Sequence, residues 1–167
     1  MKISIIGGTG GMGEGFALRW VVNHDITIGS PDAQKAASAA EQYMNTALSS
    51  YGNNMKGTIK GADYVSSSRD TDILILSIPY ESIKLTCDSI SNSIKEGCII
   101  VSPIVPMERN DFGFTYIPFE KNMKSAAHLL AENLPDKKIV SAFHTISEVK
   151  LKNINESLDS DTFVCGD

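Results

Sequence analysis

Cysteine is scarce in this chain and scattered. Cys87, Cys98 and Cys165 form no CxxC pair, and an odd count of three gives no disulfide framework, so a reducing compartment fits best. Basic residues are also short, 15 Lys plus Arg against 20 Asp plus Glu, a formal charge of −5. That balance excludes the basic footprint a duplex-DNA binder needs to displace counterions, and gives no attraction to an anionic membrane. Long apolar runs are missing. Ile3 to Ile6 is too short for a signal segment, and nothing approaches the roughly 20 apolar residues of a membrane span. The three histidines (His24, His128, His144) have no metal-ligand spacing, and no GxSxG elbow surrounds Ser77 or Ser102. These absences predict a soluble, cytoplasmic protein with no metal, no nucleic-acid partner, no membrane partner and no nucleophilic serine.

What is present is ordinary globular composition, 42% hydrophobic and 21% charged, over 167 residues, the length of one domain. Short apolar runs alternate with helical periodicity. Residues 2–7 (KISIIG), 26–29 (ITIG), 58–60, 73–78 (ILILSI), 98–102 and 139–143 read as strands, with 162–165 as a last one. Helices are predicted from Met12 to Val21, over 33–50, at 81–95 and near 122–133. In the second of these, Ala36, Ala40 and Ala47 give a small-residue face suited to lying close on a sheet. Phe16 and Trp20 at helical spacing belong to the core, and Cys98 and Cys165 in apolar strands are expected to be buried and inert. Segment 107–119 reads as an irregular loop or lid whose Phe112, Phe114, Tyr116 and Phe119 anchor it rather than stack on a ligand. Strands alternating with helices predict a doubly wound, mostly parallel α/β sheet of the Rossmann type.

The sharpest signal is Gly7-Gly8-Thr9-Gly10-Gly11-Met12-Gly13, which contains G-x-G-x-x-G between a predicted strand and a predicted helix. Gly8 permits the tight turn, Gly10 lets a pyrophosphate approach the backbone, and Gly13 lets the helix pack on the strand. The helix N-terminus then offers unpaired N–H groups and a positive dipole end to phosphates. No Gly-Lys-Ser/Thr follows, so a dinucleotide is favoured over ATP or GTP. At the end of the second strand, Ser30 and Lys35 suit a 2′-phosphate, a hydroxyl donor and a cation. Asp32 argues the other way. It lies 19 residues past Gly13, where an acid that holds the ribose 2′-OH of NAD is expected, and it reads equally well as a helix N-cap. The residues alone leave NAD against NADP open.

The segments MKISIIGGTGGMGEGFALRW, ITIGS, DILILSIPYE, IVSPIVP, GFTY, SAFHTI and VCGD occur in the order seen in archaeal NADPH-dependent coenzyme F420 reductases. The chain resembles that family over essentially its whole length. The resemblance implies hydride transfer between the nicotinamide of NADP(H) and the deazaflavin F420, in a homodimer. The two rings are stacked and no side chain is obligatory for bond-making. It implies that Thr9, Gly10, Gly11 and Met12 hold the pyrophosphate and that Ser30, Pro31 and Lys35 surround the 2′-phosphate. Ser77, Ile78, Pro79 and Tyr80 line the nicotinamide side with Met107 near it, and His144, Ile146 and Glu148 approach both rings. His144 either polarises a cofactor oxygen or bonds structurally to backbone, the second reading carrying more weight.

Two departures from the family pattern stand out. The family has Arg where this chain has Pro31, which removes a bidentate clamp on the 2′-phosphate. It has Pro-Ala after HTI, where this chain has Ser147-Glu148. The family also continues past VCGD into a helical part, so residues 1–167 are expected to be a single dinucleotide-binding domain without that helical subdomain. Two other readings stay open: a dinucleotide-binding or sensing module without catalysis, and an NAD(P)H-dependent reductase of flavin or ferric iron.

Overall fold

The computed structural model describes residues 1–119 and 122–166; Asp167 of the VCGD segment lies outside them. The apolar runs form β1 (Lys2–Ile6), β2 (Asp25–Ser30), β3 (Ile59–Asp63), β4 (Ile73–Leu76), β5 (Ile99–Ser102) and β8 (Lys138–Ser141). These six pair in parallel in the order β3-β2-β1-β4-β5-β8, and β9 (Cys165–Gly166) adds an antiparallel edge. In-register pairs such as Ile3↔Ile73 and Ile5↔Ile75 keep the branched side chains of neighbouring strands on one face. Ile3, Ile5 and Ile75 join one buried cluster, and Ile6, Leu74 and Leu76 join the other. The first cluster is covered by α1 (Gly11–Trp20) and α2 (Ala33–Tyr51), the second by α4 (Ile83–Ile90) and α5 (Ala126–Asn133). The architecture is the expected doubly wound sheet, and strand order reverses direction at β1, between β2 and β4.

The small-residue face of α2 does what its composition predicts. Ala36, Ala40 and Ala47 are buried, and a methyl group added to Gly61 of β3 would strike the Ala36 backbone, so helix and sheet are in direct backbone contact. Phe16 stacks on Trp20 with ring centroids 4.5 Å apart, and Phe143 tilts against both.

Several sequence expectations need correction. Helix 81–95 shrinks to α4, entered by a 3-10 turn at Tyr80–Ser82 and ended by serines: Ser89 Oγ donates to the Thr86 carbonyl and Ser93 Oγ to that of Ile90, each at 2.7 Å. Helix 122–133 begins only at Ala126, where Ser125 caps the His128 amide. Two five-residue helices, α3 (Tyr64–Ser68) and α6 (Glu148–Lys152), have no counterpart in the sequence reading. Cys87 and Cys98 are buried, and burial pushes both thiols up to about 11. Cys165 is exposed on the edge strand rather than buried. Segment 107–119 is not irregular. It forms an antiparallel hairpin, β6 (Met107–Asn110) and β7 (Gly113–Tyr116). Its loop is set by the Asn110 side chain, which accepts from the Phe112 amide at 2.9 Å, and by Gly113 at a φ of 123°.

Candidate functional site

The C-terminal ends of β1, β2, β4 and β5 open into one cleft of about 710 Å³ at the point where strand order reverses. Twelve of the seventeen residues expected at a cofactor line it: Thr9, Gly10, Gly11, Met12, Ser30, Pro31, Lys35, Ser77, Ile78, Pro79, Met107 and Glu148. Gly8, Gly13, Tyr80, His144 and Ile146 do not.

The glycine loop is rigidly built. Gly8 donates to the carbonyls of Ile5 (3.1 Å) and Gly29 (3.2 Å), Gly7 donates to Gly29 (3.1 Å), and the Gly10 amide returns to Gly7 (3.2 Å). Gly8 and Gly13 are the packing pair of the motif: a methyl group on Gly13 would lie 2.5 Å from Gly8 Cα. They shape the cradle from behind, which is why they do not face the cleft. Helix α1 has Gly10 as its N-cap, which makes no side-chain capping bond, and its first bond runs from the Glu14 amide to the Gly10 carbonyl. The amides of Thr9, Gly11 and Met12 therefore have no acceptor among the described residues. Orphan amides on a helix N-terminus are an anion site.

At the C-terminal end of β2 Ser30 is buried, and its Oγ accepts from the Asp32 amide at 3.3 Å, which leaves the hydroxyl proton free to be donated. The Asp32 carboxylate is committed to α2, accepting from the amides of Gln34 (2.9 Å) and Lys35 (3.1 Å). The structure thus favours the N-cap reading of Asp32, which does not line the cleft, while Lys35 does. Asp32→Ala is accordingly expected to lower stability by about 1 kcal/mol, as for other N-caps, without shifting preference between NADP and NAD. Denaturant unfolding and titration with both nucleotides check the two halves.

His144 does not reach the cleft. Desolvation holds its imidazole below the usual 6.5, and a hydrogen bond with the Ile104 backbone opposes that shift. Tyr80 packs its ring against Phe119, centroids 6.1 Å apart, and Ile146 packs onto the α1 side of the core. Sequence reasoning missed Tyr64, Glu81, Arg109 and the wall that Ile104 and Val105 form beside Pro103. Tyr64 was findable: Asp63, three residues before Ser66, accepts from the Ser66 amide at 2.9 Å and starts α3 there. The hairpin aromatics divide. Phe119 anchors against Tyr116 and Tyr80, Phe114 faces the cleft, and Phe112 is fully exposed. No cluster of His, Cys, Asp and Glu suited to a metal occurs among the described residues, and none of their helices is long and apolar enough to cross a membrane.

Comparison with known proteins matches residues 2–106 to the family described as NADP oxidoreductase, coenzyme F420-dependent. The F420-dependent NADP reductase of Methanocaldococcus jannaschii is 34% identical over 99% of this chain and 73% of its own length. That of Methanothermobacter marburgensis is 31% identical over 100% and 73%. Among solved structures, a candidate F420-dependent NADP reductase from Arthrobacter sp. FB24 superposes with a TM-score of 0.75 at 19% identity, covering 100% of this chain and 74% of that one. A 1-pyrroline-5-carboxylate reductase from Streptococcus pyogenes gives 0.64 at 18%, covering 100% and 49%. The two structural likenesses show the fold.

Proposed function

This chain belongs to the coenzyme F420-dependent NADP oxidoreductase family, and on that footing we propose that its cleft is where NADP(H) and F420 are brought together for hydride transfer. NADPH supplies the hydride, and F420 takes it up with a proton to give NADP⁺ and reduced F420. The observation that carries the assignment to this cleft is the pairing of two anion sites within it, the orphan amides of Thr9, Gly11 and Met12 and the Ser30–Lys35 pair. A dinucleotide fits both: its pyrophosphate takes the amides, and its 2′-phosphate takes the Ser30 proton and the Lys35 ammonium. The volume falls within the roughly 300–1,000 Å³ range of small-molecule sites.

The chain's own work is positioning. Ile78, Pro79 and Met107 give the nicotinamide end apolar walls that exclude water, and Ser77 offers a hydroxyl beside them. His144, neutral at pH 7, steadies the Ile104 wall by its hydrogen bond and gives no proton to the rings. No side chain has to form or break a bond, so catalysis rests on holding two rings in contact.

Residues 1–167 act in this reading as one dinucleotide-binding domain. The protein works in the cytoplasm as a homodimer on small-molecule cofactors alone. The acidic net charge argues against nucleic acid, and the exposed aromatics of the hairpin, Phe112 and Phe114, support pairing of subunits. Size-exclusion chromatography with light scattering tests the dimer.

Loss of the F420 absorbance on mixing with NADPH tests the reaction. Absence of any bleaching, with NADPH still bound, would mark a binding module instead. Reduction of flavin or ferric iron in place of F420 would mark the other alternative. Lys35→Ala is expected to raise the Kd of NADP⁺ about tenfold, the value of one charge-assisted hydrogen bond, and to leave that of NAD⁺ unchanged.

A further inference from the structure

Helix α6 rests on one stripe of α1. Leu151 is buried in a notch over Gly15, where a methyl group would come within 2.6 Å of Leu151 Cγ. One turn further along α1, the Arg19 guanidinium donates to the carbonyls of Leu151 (2.7 Å), Asn153 (2.8 Å) and Lys150 (2.9 Å). These contacts fix the start of α6 one turn the other way, over Gly11. There Glu148 Oε1 occupies the space that a methyl group on Gly11 would need. Its counter-ion, Lys152 Nζ, lies 3.3 Å away on α6 itself and is not among the cleft residues. A carboxylate is therefore held by a built seat against the uncapped N-terminus of α1, where the proposed pyrophosphate would sit.

We infer that Glu148 is an anionic occupant of the pyrophosphate end of the cleft and sets how tightly the dinucleotide binds. The proposal rests on the cofactor reading above. Two negative groups close to one helix N-terminus repel, so the carboxylate has to swing away from Gly11, out toward solvent, before a phosphate settles. Half of the Glu148 side chain is exposed, so that movement disturbs no core.

Calorimetric titration of wild type and Glu148→Gln with NADP⁺ tests this, alongside 2′-AMP, which carries the 2′-phosphate but no pyrophosphate. Glu148→Gln keeps the size of the side chain and the Leu151 and Arg19 contacts, so α6 stays seated. The expected result is a Kd for NADP⁺ at least about tenfold lower in the variant, with that for 2′-AMP unchanged. The gap should narrow as salt is raised to about 0.5 M, since screening weakens the repulsion being removed. Glu148→Ala should move affinity in the same direction. Equal affinities for NADP⁺ overturn the inference, and so does weaker binding by the variant, which would make Glu148 an acceptor for a ribose hydroxyl. Failure of the wild type to bind either NADP⁺ or 2′-AMP overturns the cofactor reading and this inference with it, a result distinct from equal binding.

Discussion

Gly7→Ala is expected to lower the melting temperature by about 10 °C and to abolish NADP⁺ binding. Gly7 has a φ of 74°, a left-handed conformation that a residue with a Cβ adopts at a cost of about 1–2 kcal/mol. The added methyl would also run into the Ser77 carbonyl, with its carbon at 2.9 Å and Ile78 Cγ2 at 3.0 Å. Neither can retreat easily, because the Ser77 amide is tied to the Ile6 carbonyl at 2.9 Å and Ile78 is buried. Overpacking of this kind adds about 1–3 kcal/mol. At about 2–4 °C per kcal/mol for a domain of this size, the two effects together give the stated shift. Gly10→Ala is the informative control. Gly10 has a φ of −89°, and its added methyl would meet nothing nearer than the Gly7 carbonyl oxygen at 3.6 Å, so the fold should tolerate it. The methyl would nevertheless stand where the pyrophosphate must approach. Its melting temperature should match wild type while NADP⁺ affinity falls at least about tenfold. Calorimetric melting and titration of both variants separate a loop needed for folding from a surface needed for the ligand. Wild-type binding by Gly10→Ala would remove the cradle from the site.

That contrast also marks what the sequence could and could not reveal. The strands of the parallel sheet, the glycine loop and the close face of α2 were legible because each is written in local pattern: β-branched runs, glycines between strand and helix, and alanines at helical spacing. The hairpin of 107–116 and the helices α3 and α6 were not. The hairpin strands Met-Glu-Arg-Asn and Gly-Phe-Thr-Tyr are exposed at every position and carry no buried β-branched run, and five residues are too few for a helical period of 3.6 to declare itself. Asp32 was ambiguous because spacing alone does not say whether a carboxylate faces a ribose or the amides of its own helix. Glu148 was singled out as an odd carboxylate near the cofactors. Its seat over Gly11 depends on Arg19 reaching carbonyls 131–134 positions away, a contact no local pattern encodes.

Pro31→Arg should lower the Kd of NADP⁺ roughly ten- to a hundredfold, as expected for a hydrogen-bonded charge pair of about 1.5–3 kcal/mol, and leave NAD⁺ nearly unchanged. Pro31 is exposed and lines the cleft together with Ser30 and Lys35, so a guanidinium there is placed to reach the same 2′-phosphate. The neighbouring Asp32 accepts both of its helix-capping bonds on Oδ1, so Pro31→Arg is measured alongside Pro31→Arg/Asp32→Asn, which removes any pairing of the new guanidinium with Oδ2. Removing proline frees the unfolded chain and costs about 0.4–1 kcal/mol of stability, a fall of a few degrees in melting temperature that leaves the fold intact. Ser30 and Lys35 give the site a hydroxyl and a point charge, and Arg adds the planar fork that matches phosphate geometry. If the variant gains equally for NADP⁺ and NAD⁺, the new charge is acting through the general field of the cleft, and the 2′-phosphate does not lie at Ser30. If the gain is confined to NADP⁺ and disappears in Pro31→Arg combined with Ser30→Ala and Lys35→Ala, the three positions form one phosphate clamp. In that case the cleft binds the cofactor with only part of the clamp in wild type, and its phosphate end, like its pyrophosphate end at Glu148, is built to hold the dinucleotide loosely.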